Sequence, residues 1–434
     1  MTAVARYLDK RAVHGMWAPP HGETSPAGIR QVVAIPVLAE FDTLFDTLRD
    51  LAANDPAQLA ETAVVCVVNN RAPEIAGESD CADNQRTLAA LPEFARTHPQ
   101  LRLAWIDAAS PGRTLGPKDG VGLARKIGLD WGLALMLEAG AASGALICLD
   151  ADTRVPPNYL RAISDFFGDG TRWAAVVDYA HPIDGPPEVC LPILSYELFL
   201  RYQELAWRHA GSPYAYPAIG STMACSGTAY AAAGGMNRRQ AGEDFYFLQQ
   251  LAKTGRVDRI RETAVAPSGR ASHRVPFGTG RKVGAYAADP EDAWRTYHPE
   301  TFQVLRRWLE TVRADRDAPG SVLLERAAAI APELAAYLAE QGFAASWDRI
   351  LKNSPDPAQR ARQFHQWFDG FRTLKLAHHL RDHGYPRGDL FEALGAVMAW
   401  QGIAAPFPME ARLRVDIEKQ RALIGLLRSW RPYA

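Results

Sequence analysis

Through its first half the chain alternates two kinds of apolar pattern. Gln31 to Leu38 (QVVAIPVL), Thr62 to Asn70 (TAVVCVVNN), Leu101 to Ile106, Ala145 to Leu149 (ALICL) and Trp173 to Tyr179 are short, nearly continuous apolar runs. That is the pattern of strands buried on both faces. Between them, Glu40 to Ala53 sets Phe41, Leu44, Phe45 and Leu48 at helical spacing, and Val121 to Ala142 does the same with Leu123, Ile127, Leu133 and Leu137. Strands that alternate with helices and lack polar alternation predict an α/β domain with a mostly parallel sheet covered by helices on both faces. Ligands of such sheets bind beyond the carboxyl ends of the strands, so the chemistry is sought there.

From about Pro290 the texture changes. Leu305 to Val312, Val322 to Leu338, Gln363 to His379, Leu390 to Trp400 and Arg412 to Trp430 read as amphipathic helices separated by Pro and Gly. The expected organisation is an α/β domain over residues 1–290, its first 29 an extension, and a helical region over 291–434. A length of 434 residues suits more than one domain. The net charge of −1 gives no footprint for nucleic acid. The five cysteines are scattered, with no CxxC pair, so no disulfide framework is expected and a reducing compartment is favoured. No apolar signal-peptide core opens the chain, and no run reaches the ~20 apolar residues of a membrane-spanning helix. The expectation is a cytoplasmic protein, at most peripheral to a membrane.

Asp150 and Asp152 follow the ALICL run directly, separated by Ala151. Two carboxylates one residue apart in a loop leaving a strand can turn toward one point. Such hard oxygen ligands suit Mg²⁺ or Mn²⁺, with water and substrate phosphates completing the shell. The plainer reading has Asp152 capping a helix around Pro157 to Phe167. Glu243 and Asp244 open another helical pattern, where acids are also favoured simply by capping and the dipole. Ser272 to Lys282 is rich in Gly and cations, and Arg270, Arg274, Arg281 and Lys282 carry the charge to neutralise phosphates. Trp207 and Tyr202, in the helix-like segment Tyr196 to Ala210, are the aromatic candidates for stacking on a ligand, although large aromatics more often form core.

Four segments, in order, resemble glycosyltransferase family 2 and related nucleotide-sugar transferases of the GT-A fold. They are VVAIPVLAE (32–40), GLARKIGLDWGLA (122–134), ALICLDADT (145–153) and SGTAYAAAGGMNRRQAGEDFYFLQQL (226–251). Together they span just over half the chain. The resemblance implies a DxD motif, Asp150 and Asp152, holding a metal on the diphosphate of a UDP- or GDP-linked sugar. It implies an acidic pair in which Asp244 takes the proton of an acceptor hydroxyl, with Glu243 as its support or as the alternative base. It permits His273 as a third metal ligand and suggests that residues 268–283 order when donor binds. Glu40, Asn69 and Asn70 fall at the expected edge of the base and ribose pocket. Many family members carry an acid where Asn69 and Asn70 stand, which leaves the base open. Arg125 and Lys126 either reach the diphosphate or form an exposed helix face.

The implied activity is metal-dependent transfer of a hexose-like sugar by single displacement, with inversion. A retaining transferase of the mannosylglycerate-synthase type is the alternative. A sugar nucleotidyltransferase would show a Gly-rich basic signature after the first strand, which Ile35 to Phe41 lacks. A binding module without catalysis would need neither acidic pair.

Overall fold

The computed structural model describes residues 1–17, 19–270, 284, 286 and 289–431. The chain divides into two compact units, one of residues 1–182 and 218–280, the other of 183–217 and 281–434.

The first unit is built on an eight-stranded sheet. Its strands are β1 (His21–Gly22), β2 (Gln31–Val37), β3 (Thr62–Asn69), β4 (Arg102–Ala108), β5 (Ala145–Cys148), β6 (Ala174–Tyr179), β7 (Met223–Ser226) and β8 (Val257–Val265). They stand in the order β1-β4-β3-β2-β5-β7-β6-β8. β2, β3, β4 and β5 run parallel, as do β6 and β8, while β7 is antiparallel to both its neighbours and β1 to β4. This is the mostly parallel α/β sheet that the apolar runs predict. The β2–β5 ladder ends at the pair Ala34–Cys148. Pro36 stands beyond that end, where its missing N–H breaks no β2–β5 pairing, and the chain leaving β5 is free to turn.

Around the sheet lie α1 (Ala3–Arg11), α2 (Phe41–Ala52), α3 (Pro56–Ala60), α4 (Glu78–Thr97), α5 (Val121–Glu138) and α6 (Tyr159–Phe167), followed after the second unit's α7 (Pro187–His209) by α8 (Gly227–Ala232) and α9 (Glu243–Thr254). α5 is buried along almost its whole length. It approaches the sheet closely because it carries glycine where it crosses β2. A Cβ on Gly132 would stand 2.8 Å from Val32 Cγ1.

In the second unit α7 shares a core with the later helices. Leu194, Leu198, Tyr202, Phe302, Trp308, Trp347 and Phe391 are among its buried residues. Residues 183–217, expected inside the first domain, therefore belong to this unit: the apolar residues of α7 find their cover among the C-terminal helices. Tyr202 is fully buried and donates to the Tyr297 carbonyl at 2.6 Å, so it is core and not an acceptor platform. Three long helical readings are broken, and Arg412 to Trp430 becomes a 3₁₀ turn at Ala411–Val415 and a helix at Ile417–Ser429 capped by Asp416. Val322 to Leu338 splits into Gly320–Ile330 and Pro332–Glu340, because the residue before a proline avoids the helical region and Ala331 is extended. Gln363 to His379 splits into Pro357–Trp367 and Gly370–Asp382, the second capped by the Asp369 side chain. Among the described residues no helix is long and apolar enough to cross a membrane, and the five cysteines are free.

The close approach of α5 makes a signed prediction. Gly→Ala inside a helix ordinarily stabilises by ~1 kcal/mol. Gly132→Ala has to push against buried Val32, and overpacking of this kind destabilises by ~1–3 kcal/mol. Urea denaturation decides the sign; a more stable variant would mean that α5 does not lie this close to β2.

Candidate active site

The carboxyl end of β5 delivers Asp150 and Asp152. The bend is held in place: Thr47 Oγ1 donates to the Ala151 carbonyl at 3.0 Å, the Thr153 amide to the Asp150 carbonyl at 3.1 Å, and Arg154 exchanges two backbone hydrogen bonds with Ala266 beyond β8. The last pairing brings the chain after β8 alongside the acidic bend, and with it Arg270.

Arg125, on α5, joins the two acidic motifs. Its Nη2 donates to Asp150 Oδ1 at 2.5 Å and its Nε to Glu243 Oε1 at 3.1 Å. The Arg125 side chain is 3% exposed. Burial by itself would lower the guanidinium pKa, but Asp150 and then Glu243 outweigh it and hold the charge firmly in place. Gly220 makes room for this pair, since a Cβ there would stand 2.2 Å from Arg125 Nη2. Nη1 is buried with no hydrogen-bond partner among the described residues. A buried orphaned donor beside two carboxylates is a feature that a ligand or water completes.

Glu243 and Asp244 form the first turn of α9, behind Gly242 in the left-handed region (φ 68°). Neither acid is the N-cap. Glu243 is buried, and its carbonyl accepts from Asn237 Nδ2 at 2.8 Å. Burial raises its pKa against the pull of Arg125. Asp244 is half-buried and accepts from the Phe245 amide at 2.7 Å. Burial, and after it the charge of Glu243, push its carboxyl up to about 7. A carboxylate poised near neutrality is suited to taking a proton.

A second cluster lies at the end of β2. Glu40 opens α2 and accepts from Thr43 Oγ1 at 2.8 Å. Arg270 Nη2 is in close contact with Glu40 Oε2 and donates to Asp152 Oδ2 at 3.2 Å. Ala39, just before Glu40, has φ 52°, the one positive φ outside glycine among the described residues. Such strain persists where surrounding contacts over-determine it: the Ala39 amide donates to Asn84 Oδ1 at 2.8 Å. Asn84 Nδ2 in turn donates to the Asn69 carbonyl and to Asn70 Oδ1, at 3.0 and 2.6 Å. Asn69 and Asn70 are thus buried at the end of β3 and stitched to the end of β2. The polar pattern of α4 gave no sign that Asn84 would do this.

Lys126 is not brought to the acidic motifs. It is buried, with Nζ 2.5 Å from Tyr7 Oη and 3.1 Å from Asp130, whose carboxylate also accepts from Tyr7, Tyr230 and the Val13 amide. This ties α1 to α5 and α8. His273, Arg274 and Lys282, with most of the 268–283 stretch, lie outside the described residues.

Among the described residues no three His, Cys, Asp or Glu side chains converge to hold a metal. Asp150 and Asp152 offer two hard oxygen donors at a bend that meets solvent. That set fits Mg²⁺ or Mn²⁺ if phosphate oxygens and water complete the shell.

No protein-family model and no curated protein sequence matches the chain. Among solved structures it is similar to S. aureus TarS 1–349 in complex with UDP-GlcNAc, at 13% identity over 92% of this chain and 90% of that one, with a TM-score of 0.37. It is also similar to the mannosyltransferase PcManGT from Pyrobaculum calidifontis in complex with GDP-Man and Mn2+, at 15% identity over 98% and 93% of the two chains, with a TM-score of 0.36. Likeness of this degree assigns no residue, so the site stands on its own geometry.

Removing one partner of a buried ion pair typically costs ~3–5 kcal/mol, because the other charge is stranded. Arg125→Met is expected to lose stability on that scale in urea denaturation. Adding Asp150→Asn and Glu243→Gln should recover most of it. A loss under ~1 kcal/mol would show that Arg125 does not hold the two acids together.

Proposed function

We propose that the chain is a glycosyltransferase that moves a sugar from a UDP- or GDP-linked donor to an acceptor hydroxyl with the help of Mn²⁺ or Mg²⁺. One observation carries the reading: a single buried guanidinium, Arg125, binds both Asp150 at the strand end and Glu243 at the start of α9. A metal-binding pair and a proton-accepting pair are then parts of one site.

In this reading Asp150 and Asp152 hold the metal, which supplies charge neutralisation on the donor diphosphate when bound. Glu40 lies toward the ribose, with Asn69 and Asn70 shaping the base side through backbone they keep in place. His273 is the proposed third metal ligand, and Arg274 and Lys282 are the proposed cations for the diphosphate. Asp244 receives the acceptor hydroxyl proton while the acceptor oxygen bonds to the anomeric carbon and the diphosphate departs with its electron pair, inverting that carbon. Glu243, buried against Arg125, positions Asp244 and raises its basicity. Asp244 is favoured over Glu243 as the base because it meets solvent, whereas Glu243 is occupied by Arg125. Lys126 is assigned to the packing of α1 and not to the donor.

Donor binding tests the metal half. Affinity for the preferred nucleotide among UDP and GDP is expected to fall in Asp152→Ala and equally in wild type with EDTA. Identical affinity in all three samples rules the metal site out.

The pH profile tests the other half. The acting form of Asp244 is the carboxylate, and its carboxyl is pushed up to about 7. kcat/KM should therefore rise with pH below that value and level off above it. Asp244→Asn should remove this limb and lower transfer by ~10²–10⁴-fold, leaving donor affinity nearly unchanged. Wild-type transfer by Asp244→Asn would take Asp244 out of the mechanism.

A further inference from the structure

The two acids of the strand-end bend are neutralised in different ways. Asp150 is held by Arg125, whose side chain is 3% exposed and bound to a second carboxylate besides. That guanidinium is part of the interior and cannot leave without stranding two charges. Asp152 is held by Arg270, whose side chain is 39% exposed and follows β8 without being built into it. Its Nη2 is shared between Asp152 and Glu40, so two carboxylates from different strand ends converge on one nitrogen. That nitrogen carries the positive charge that a divalent ion on Asp152 would bring.

Resting on the reading of Asp150 and Asp152 as the metal's ligands, we infer that Arg270 is a resident counter-ion of Asp152 and Glu40, which a divalent ion has to displace and which then passes to the donor diphosphate. A divalent cation on Asp152 and the guanidinium beside it repel each other as like charges. A released guanidinium is matched to phosphate by its planar fork of donors. The protein without nucleotide consequently holds metal weakly, and metal and nucleotide assist each other because the diphosphate gives Arg270 a new partner. By thermodynamic reciprocity the assistance is equal in both directions.

Mn²⁺ binding to the nucleotide-free protein, followed by calorimetry or by the spin-resonance signal of free Mn²⁺, tests this without any turnover. A partly exposed ion pair is worth little, so Arg270→Gln is expected to bind Mn²⁺ about five-fold more tightly than wild type. Arg270→Lys, which keeps the charge, should stay near wild type. Arg154→Gln separates displacement from simple loss of a nearby cation. Arg154 lies two residues from Asp152 but is engaged by Asp50 at 2.5 and 2.7 Å, and its loss should leave Mn²⁺ affinity unchanged. The gain in Mn²⁺ affinity on adding UDP or GDP should be smaller in Arg270→Gln than in wild type. Equal Mn²⁺ affinity in wild type and Arg270→Gln, or an equal gain in Arg154→Gln, overturns the inference while leaving the metal site standing. Mn²⁺ binding that is absent with and without nucleotide, or that survives Asp152→Ala intact, overturns the metal reading and this inference with it.

Discussion

A guanidinium cannot lose its charge inside a protein, and an unpaired charge there is very costly. Buried Arg125 must therefore be surrounded by acids, and the acids it takes are Asp150 and Glu243. Much of the first unit's local structure answers that demand. α5 has to start where Arg125 reaches the end of β5, and Gly220 has to lack a side chain beside it. α9 has to begin with Glu243 turned inward, which leaves its neighbour Asp244 nearer to solvent. One pairing thus makes the geometry of two separated motifs a single fact.

The electrostatics follow from the same arrangement. Arg125 offsets Glu243 more than Asp244, so Asp244 bears the burial of the site and the repulsion of its neighbour, and its carboxyl rises. Asp152 lies farther along the bend, with the half-exposed Arg270 as partner. Asp150 is thus paired with a guanidinium built into the interior and Asp152 with one at the surface.

The strands and the acidic motifs were legible because they depend on local pattern. Continuous apolar runs marked β2 to β6, and the turn after ALICL marked Asp150 and Asp152. β8 was not legible: VDRIRETAV is an edge strand with charged residues along it, and charge hides an edge strand from a search for apolar runs. Arg125 and Lys126 looked alike as a pair, yet successive helical residues point ~100° apart. One faces the acidic motifs and the other Tyr7 and Asp130, and only tertiary packing tells which is which. Asn84 escaped for the same reason, as its partners at Ala39, Asn69 and Asn70 are distant in sequence. The placement of α7 with the C-terminal helices depends on which apolar partners are available, a property of the folded chain alone.

If the strand-end acids and the acids of α9 serve one donor site, bound metal and sugar must lie between them. Crystals grown with Mn²⁺ and an unreactive analogue of the preferred nucleotide sugar would locate the metal by its anomalous scattering. A peak is expected on the Asp150–Asp152 bend beside the diphosphate, with the anomeric carbon facing Asp244. A nucleotide bound away from that bend, or a sugar whose anomeric carbon faces away from α9, would contradict it.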